Sequence, residues 1–118
     1  MINFNILSYD ADSFEADLEI ILLNEQKLLV YCSDFKNKKD VDISLNAFLP
    51  KNIMLSDLEE KITKTKNGYY SYNIIGKRIK VNCIECLGAF IQIDDIPNDI
   101  KIGENVSFDV IRIDALCL

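Results

Sequence analysis

Four cysteines and no histidine bound the chemistry open to this chain. Without an imidazole, a Ser-His-Asp or Cys-His nucleophile cannot be assembled, and the commonest general base and zinc ligand are both missing. The thiols are Cys32, Cys83, Cys86 and Cys117. Cys83 and Cys86 have the C-x-x-C spacing of a redox pair, or of half a zinc site that Cys32 and Cys117 would complete. Either use needs both thiols on one side of the chain. The residues from Arg78 to Cys83 alternate in the manner of a strand, and positions three apart on an unbroken strand face opposite ways. A redox pair also wants a helix N-terminus to stabilise its thiolate, and none is expected here. The cysteines therefore read as small, reduced core residues, with no metal and no cofactor expected.

Carboxylates are the next chemical resource. Asp94-Asp95, Asp10 with Asp12, and Asp40 with Asp42 could in principle serve glycoside hydrolysis or hold Mg²⁺. Adjacent residues on a strand diverge, and the other pairs fall in turn-like stretches, so solvated turns are the better reading. The four glycines, Gly68, Gly76, Gly88 and Gly103, are scattered singly and build no phosphate loop. Arg112 lies on the inward phase of the last strand, two residues from Asp114; a bulge that turns it outward, or a structural pair with an acid, is a better reading than a ligand-binding arginine in a barrel mouth. No catalytic residue is assigned, and an enzyme is not expected.

Charge distribution says more than any motif. Lys61 to Ile84 contains six basic residues, Lys61, Lys64, Lys66, Lys77, Arg78 and Lys80, and no acid. Tyr69, Tyr70 and Tyr72 sit among them. Rings interleaved with cations are what single-stranded nucleic acid uses, bases on the rings and phosphates on the cations. The bland alternative is a solvated hairpin with half-buried tyrosines. Elsewhere seven basic residues face all nineteen acids. Asp17 and Glu19 point outward from one alternating run, and Asp94, Asp95, Asp99 and Glu104 crowd a turn. Those six form a candidate acidic face, which could meet a basic protein surface by electrostatic complementarity.

The elements that must carry these residues are mostly strands. Ile2, Phe4 and Ile6 share a face in a first short strand. Glu15 to Leu23 places Ala16, Leu18, Ile20 and Leu22 inward, and Lys27 to Ser33 returns with Leu28, Val30 and Cys32 inward, around a turn at Asn24-Glu25-Gln26. Asp34 to Asp40, with Lys36, Lys38 and Lys39, reads as a charged loop. Val41, Ile43, Leu45 and Ala47 form one face of the next strand, which Pro50 closes. Ser56-Asp57-Leu58-Glu59 matches a capping box and predicts a short helix from about Asp57 to Lys64. The rival is a strand from Lys61 to Lys66 that turns at Asn67-Gly68 into Tyr69 to Ile75. Ile79, Val81 and Cys83 are expected inward. A bend at Leu87-Gly88 precedes Ala89, Ile91 and Ile93. Ile96-Pro97-Asn98-Asp99 is a turn. Val106, Phe108 and Val110 then share a face, with a slip of phase at Ile111.

These elements predict a single β-rich domain over residues 1–118, a small antiparallel barrel of partly open, OB-like form with one short helix; a β-sandwich is the alternative. The net charge of −6 disfavours duplex DNA. The longest uncharged run, Asn67 to Gly76, is far shorter than the roughly 20 apolar residues of a membrane helix. The first ten residues carry no basic charge and no cleavage-like site, so a cytoplasmic location is expected. In general profile the chain is similar to bacterial immunity proteins of polymorphic-toxin systems: small, single-domain, acidic and free of catalytic motifs. The likeness is one of class and composition, so it implies a kind of partner and no particular residues. The leading expectation is thus a non-enzymatic protein-binding module of toxin-neutralising type, its acidic face turned to a basic partner. The alternative is an OB-type binder of single-stranded nucleic acid that uses Lys61 to Lys80.

Overall fold

In Ala16–Ile21, Lys27–Cys32 and Asn105–Val110 the alternation of the sequence becomes extended chain that buries every second side chain, whereas Phe4–Tyr9, with Ile6 exposed, is largely open to solvent. The computed structural model describes residues 2–36 and 42–118. It contains eleven strands: β1 (Phe4–Tyr9), β2 (Ala16–Ile21), β3 (Lys27–Cys32), β4 (Ile43–Phe48), β5 (Lys51–Ser56), β6 (Lys61–Lys64), β7 (Tyr72–Lys80), β8 (Cys83–Cys86), β9 (Ala89–Gln92), β10 (Asn105–Val110) and β11 (Arg112–Cys117). Lys38, Lys39, Asp40 and Val41, read above as loop and strand start, lie outside the described residues.

All eleven strands belong to one sheet, ordered β1-β2-β3-β11-β4-β9-β8-β7-β10-β5, with β6 also paired to β7. Neighbours are antiparallel except at two joints, β3 with β11 and β4 with β9. The sheet is coiled around one apolar cluster, in which Leu18, Leu28, Leu45, Ile74, Ile91, Phe108 and Ile113 are almost fully shielded. Burial of this kind stabilises by about 25 cal/mol per Å² of apolar surface removed from water. The β2–β3 hairpin carries the inward set expected from its alternation.

The barrel expectation needs correction in three respects. The sheet is not closed: its path ends at β1 and β5, which do not pair. Near β3 and β6 side chains bridge the gap, the Gln26 amide donating to the Ile62 carbonyl and the Leu29 N–H to the Tyr72 hydroxyl, and beside them the Leu23 N–H donates to the Leu87 carbonyl. The sheet is mixed, not purely antiparallel. The helix over Asp57 to Lys64 is absent, because Ser56 accepts from the Leu58 N–H in a short turn and Lys61–Lys64 pairs with Tyr72–Ile75. A hairpin of the rival kind forms, but with β6 ending at Lys64 and β7 starting at Tyr72, so the connection is the longer loop 65–71 and not a two-residue Asn67-Gly68 turn.

Two further differences matter for the site. β5 follows Pro50 directly, as an edge strand exposed along most of its length, so it shows no alternation to detect. The β7–β8 hairpin turns at Val81-Asn82, which exposes Val81 and buries Arg78 in place of the apolar residues expected there. The next hairpin turns at Leu87-Gly88 with both φ values positive, 50° and 86°, the backbone twist that suits a two-residue connection.

Candidate functional site

The outward side chains of the β2–β3 hairpin begin the site. Asp17 lies opposite Tyr31, Tyr31 opposite Asp114 on β11, Asp114 opposite Asn46 on β4, and Asn46 opposite Gln92 on β9. Directly opposed residues project from the same face of a sheet. This row therefore crosses five strands on the outer face, about 19 Å from Asp17 to Gln92 at the usual strand spacing. Asp94 follows Gln92 by two residues, beyond the buried Ile93. Asp94 is exposed just past the end of β9, so of the expected acidic residues the paired row itself holds Asp17.

At the Asp17 end the face deepens into a cleft of about 280 Å³ lined by Ser8, Tyr9, Asp10, Glu15, Ala16, Asp17, Tyr31 and Tyr70. Three carboxylates and three phenol rings meet there, and the lining includes no cation. Tyr31 donates its hydroxyl to Glu15 at 2.6 Å, and Tyr70 donates to Asp17 at 2.5 Å. Each phenol loses its proton less readily than usual. For Tyr31 the first cause is the bond to Glu15; for Tyr70 it is burial, followed by the bond to Asp17. Tyr69 and Tyr70 stack edge to face at 4.8 Å, and Tyr31 and Tyr70 at 5.9 Å. The Arg112 guanidinium, which is not among the cleft-lining groups, packs on the Tyr31 ring. It donates to Asp114 at 2.5 Å and lies 4.9 Å from the Tyr31 ring and 4.1 Å from Phe48. It is the structural ion pair expected from the spacing.

The other acidic residues are placed differently. Glu19 projects from β2 but is engaged by Lys27 at 3.6 Å and by the Asn5 amide at 3.4 Å. Asp95 and Asp99 are exposed on the loop between β9 and β10, and Glu104 accepts from the Lys101 N–H there. Arg78 holds that loop. Its guanidinium donates to the carbonyls of Lys80, Val81, Pro97 and Ile100, and its backbone N–H donates to the Glu104 carbonyl.

Arg78 consequently leaves the candidate nucleic-acid face, and so does Tyr72, which is buried with its hydroxyl turned to the backbone of Leu29. Tyr70 is committed to Asp17. Lys61, Lys64, Lys66, Lys77, Lys80 and Tyr69 are exposed, although Lys64 folds back on the carbonyls of Thr65 and Gly68. Of the three tyrosines in the stretch, Tyr69 alone offers an open ring.

The cysteine pair divides as strand geometry requires. Cys86 faces the core and donates to the Ile75 carbonyl, its thiol pushed up to about 12 by burial. Cys83 is buried on the other side of β8, and burial raises its thiol as well. Asp10 accepts from the Asp12 and Ser13 N–H groups, so it shapes a turn, and Asp40 lies outside the described residues. Among the described residues no group of three or more Cys, Asp or Glu is placed to share a metal ion, and no helix is long and apolar enough to cross a membrane. A second recess, about 490 Å³, lies between the end of β2 and the starts of β4 and β9. Its surface is about evenly polar and apolar, with Leu23, Leu87, Phe90 and Leu118 around it and Asp42 as its charged lining residue.

Tyr9, Asp10, Glu15 and Tyr31 are site residues that composition alone does not select. The hairpin register does contain the Tyr31 signal: a turn centred on Asn24-Glu25 that pairs Leu18 with Val30 also pairs Asp17 with Tyr31. No protein-family model, curated protein or solved structure matches the chain.

Proposed function

We propose that this protein is a non-enzymatic protein-binding module whose acidic, tyrosine-lined face receives a cationic segment of a partner. The observation that supports this most directly is the cleft in which Asp10, Glu15 and Asp17 converge with Tyr9, Tyr31 and Tyr70. Carboxylates attract a lysine or arginine head group, and phenol rings take its flat or aliphatic portion by cation–π and apolar contact. Tyrosine also supplies contact area at low cost in side-chain entropy. Asp114, further along the outer row, is neutralised by Arg112, so the attraction for a basic surface comes from the carboxylates of the cleft itself. The toxin-neutralising form of the reading rests on the general profile of the chain.

The test is affinity capture from the source cell with the wild-type chain and with a variant carrying Asp17→Lys, Glu19→Lys, Asp94→Lys and Asp95→Lys, both checked for folding by circular dichroism. A basic protein retained by the wild type and released by the variant is the expected result. Equal retention by both overturns the acidic-face reading. A labelled single-stranded oligonucleotide titrated at low salt is the second arm. Binding that disappears with Lys61→Ala, Lys66→Ala and Tyr69→Ala would put nucleic acid in place of the protein partner.

A further inference from the structure

We propose that Cys32 and Cys117 are a redox-modification site, a thiol pair that closes into a disulfide and fastens β11 to β3. Their sulfurs are 4.0 Å apart, although the residues are 85 positions apart in sequence. A disulfide bond needs about 2.05 Å, so the sulfurs must approach by about 2 Å. Cys117 is the last residue of β11 and is partly exposed, whereas Cys32 is 1% exposed. Cys83 and Cys86 make a useful contrast. They lie close in sequence, but they face opposite sides of β8 and are each turned towards a backbone carbonyl.

The position of the pair gives the bond a consequence. β11 runs beside β4 along its whole length, from Arg112 opposite Phe48 to Cys117 opposite Ile43. It meets β3 at a single bridge, Asp114 with Tyr31. That joint ties the β1–β2–β3 portion to the remainder of the sheet, and a covalent link beside it reinforces the seam where the ladder is shortest. Closing so long a loop also removes entropy from the unfolded chain. The site stands whether or not the acidic face binds a protein.

The oxidant is a low-molecular-weight disulfide. The Cys117 thiolate attacks one of its sulfurs, the small S–S bond breaks, and one small thiolate leaves and takes up the proton that Cys117 released. Cys32, deprotonated in turn, attacks Cys117 in the mixed disulfide and expels the second small thiol. Two protein thiols have then lost two electrons and two protons, and the small disulfide has become two small thiols.

The experiment exposes the folded chain to glutathione disulfide, alkylates the remaining thiols, and maps the product by tryptic digestion and mass spectrometry. Cys32 falls in the fragment 28–36, Cys117 in 113–118, and Cys83 with Cys86 in 81–101, so the linked pair is read directly. The expected result is a bond between 28–36 and 113–118, two thiols left of the four, and a melting temperature several degrees higher that falls back on reduction. Cys117→Ser should abolish the bond and the shift, and Cys83→Ser should leave both. Four thiols that stay alkylatable, a glutathione adduct that never resolves, or a bridge within 81–101 would each overturn the proposal. Because the mapping uses the unaltered chain, it decides even if a variant fails to fold.

Discussion

Tyr70 donates its hydroxyl to Asp17 across 53 residues of sequence, at 2.5 Å. The bond joins the end of the β6–β7 connection to the outer side of β2. It also joins the basic stretch of the chain to its acidic strand, so the two candidate faces meet at this pair. The tyrosine that would have stacked a base instead forms a wall of the carboxylate cleft.

Tyr70→Phe removes that bond and leaves the ring in place. A hydrogen bond to a charged group in a partly exposed setting is worth about 1 kcal/mol. The variant should lose about that much stability in urea unfolding, with the m-value unchanged. An unchanged midpoint would mean that water serves Asp17 equally well.

Alkali should unfold this protein readily. Burial pushes the Cys32 thiol up to about 11 and the Cys86 thiol up to about 12, from an ordinary value of 9.0. Tyr31 and Tyr70 are raised from 10.0. The folded chain therefore keeps protons that the unfolded chain releases, and the stability these groups contribute is present in full below 9 and is lost as the pH rises through the folded values. Urea midpoints taken from about pH 8 upward should fall steadily past pH 9. A profile flat to about pH 11 would show that these thiols and phenols are solvated in the folded state.

Gly76 lies buried where β7 passes β8. A β-carbon there would stand 2.5 Å from Ile84 Cγ2 and 2.7 Å from the Glu85 carbonyl oxygen. The carbonyl belongs to a paired strand and cannot swing aside. Gly76→Ala should cost about 2 kcal/mol or more through overpacking. Wild-type stability in the variant would mean that β7 and β8 separate at this point without penalty.

The sheet was legible in the sequence wherever one face is buried. Ala16, Leu18, Ile20 and Leu22 alternate because the core lies on one side of β2, and every one of them is buried. The edge strand β5 was not legible, because a strand exposed on both faces has no reason to alternate. The capping-box spacing of Ser56 and Glu59 suggested a helix, but local capping is weak beside the pairing of Lys61–Lys64 with β7. Arg78 was read as a surface cation from its charge, since a short motif cannot reveal that carbonyls from the β7–β8 turn and the β9–β10 loop converge on it. The cleft was half visible: the β2–β3 register opposes Asp17 to Tyr31, but the approach of Tyr70 depends on how the sheet coils.

Asp109 ties three neighbouring strands. Its carboxylate accepts from the Asn52 amide at 2.9 Å on β5 and from the Asn73 amide at 2.8 Å on β7. The Asn52 bond first, and then the Asn73 bond, hold its proton affinity below the usual value of 3.8. The stability it contributes is present above 3.8 and is lost as pH falls through its lower folded value. Asp109→Asn should cost about 1 kcal/mol near neutrality. The gap between variant and wild type should close in acid unfolding below about pH 4. A gap that stays constant with pH would assign the loss to packing and not to charge.

Arg78 offers the sharpest separation of structure from surface charge. Its guanidinium serves four carbonyls and, among the described residues, forms no ion pair, so backbone dipoles are the groups that bond the buried charge. Arg78→Lys keeps the charge but replaces a planar fork with one compact head group, which cannot reach carbonyls on both the β7–β8 turn and the Pro97–Ile100 turn. The variant should lose about 3 kcal/mol, the scale of a broken buried polar network. The loss should appear locally as faster hydrogen exchange at the Ile100 amide, which donates to the Pro97 carbonyl, and at the Gly103 amide, which donates to the Arg78 carbonyl and ties the acidic loop to β7. If Arg78 were instead a surface cation, Arg78→Lys would leave stability and exchange untouched. Arg78→Met would then lower only the affinity for anions.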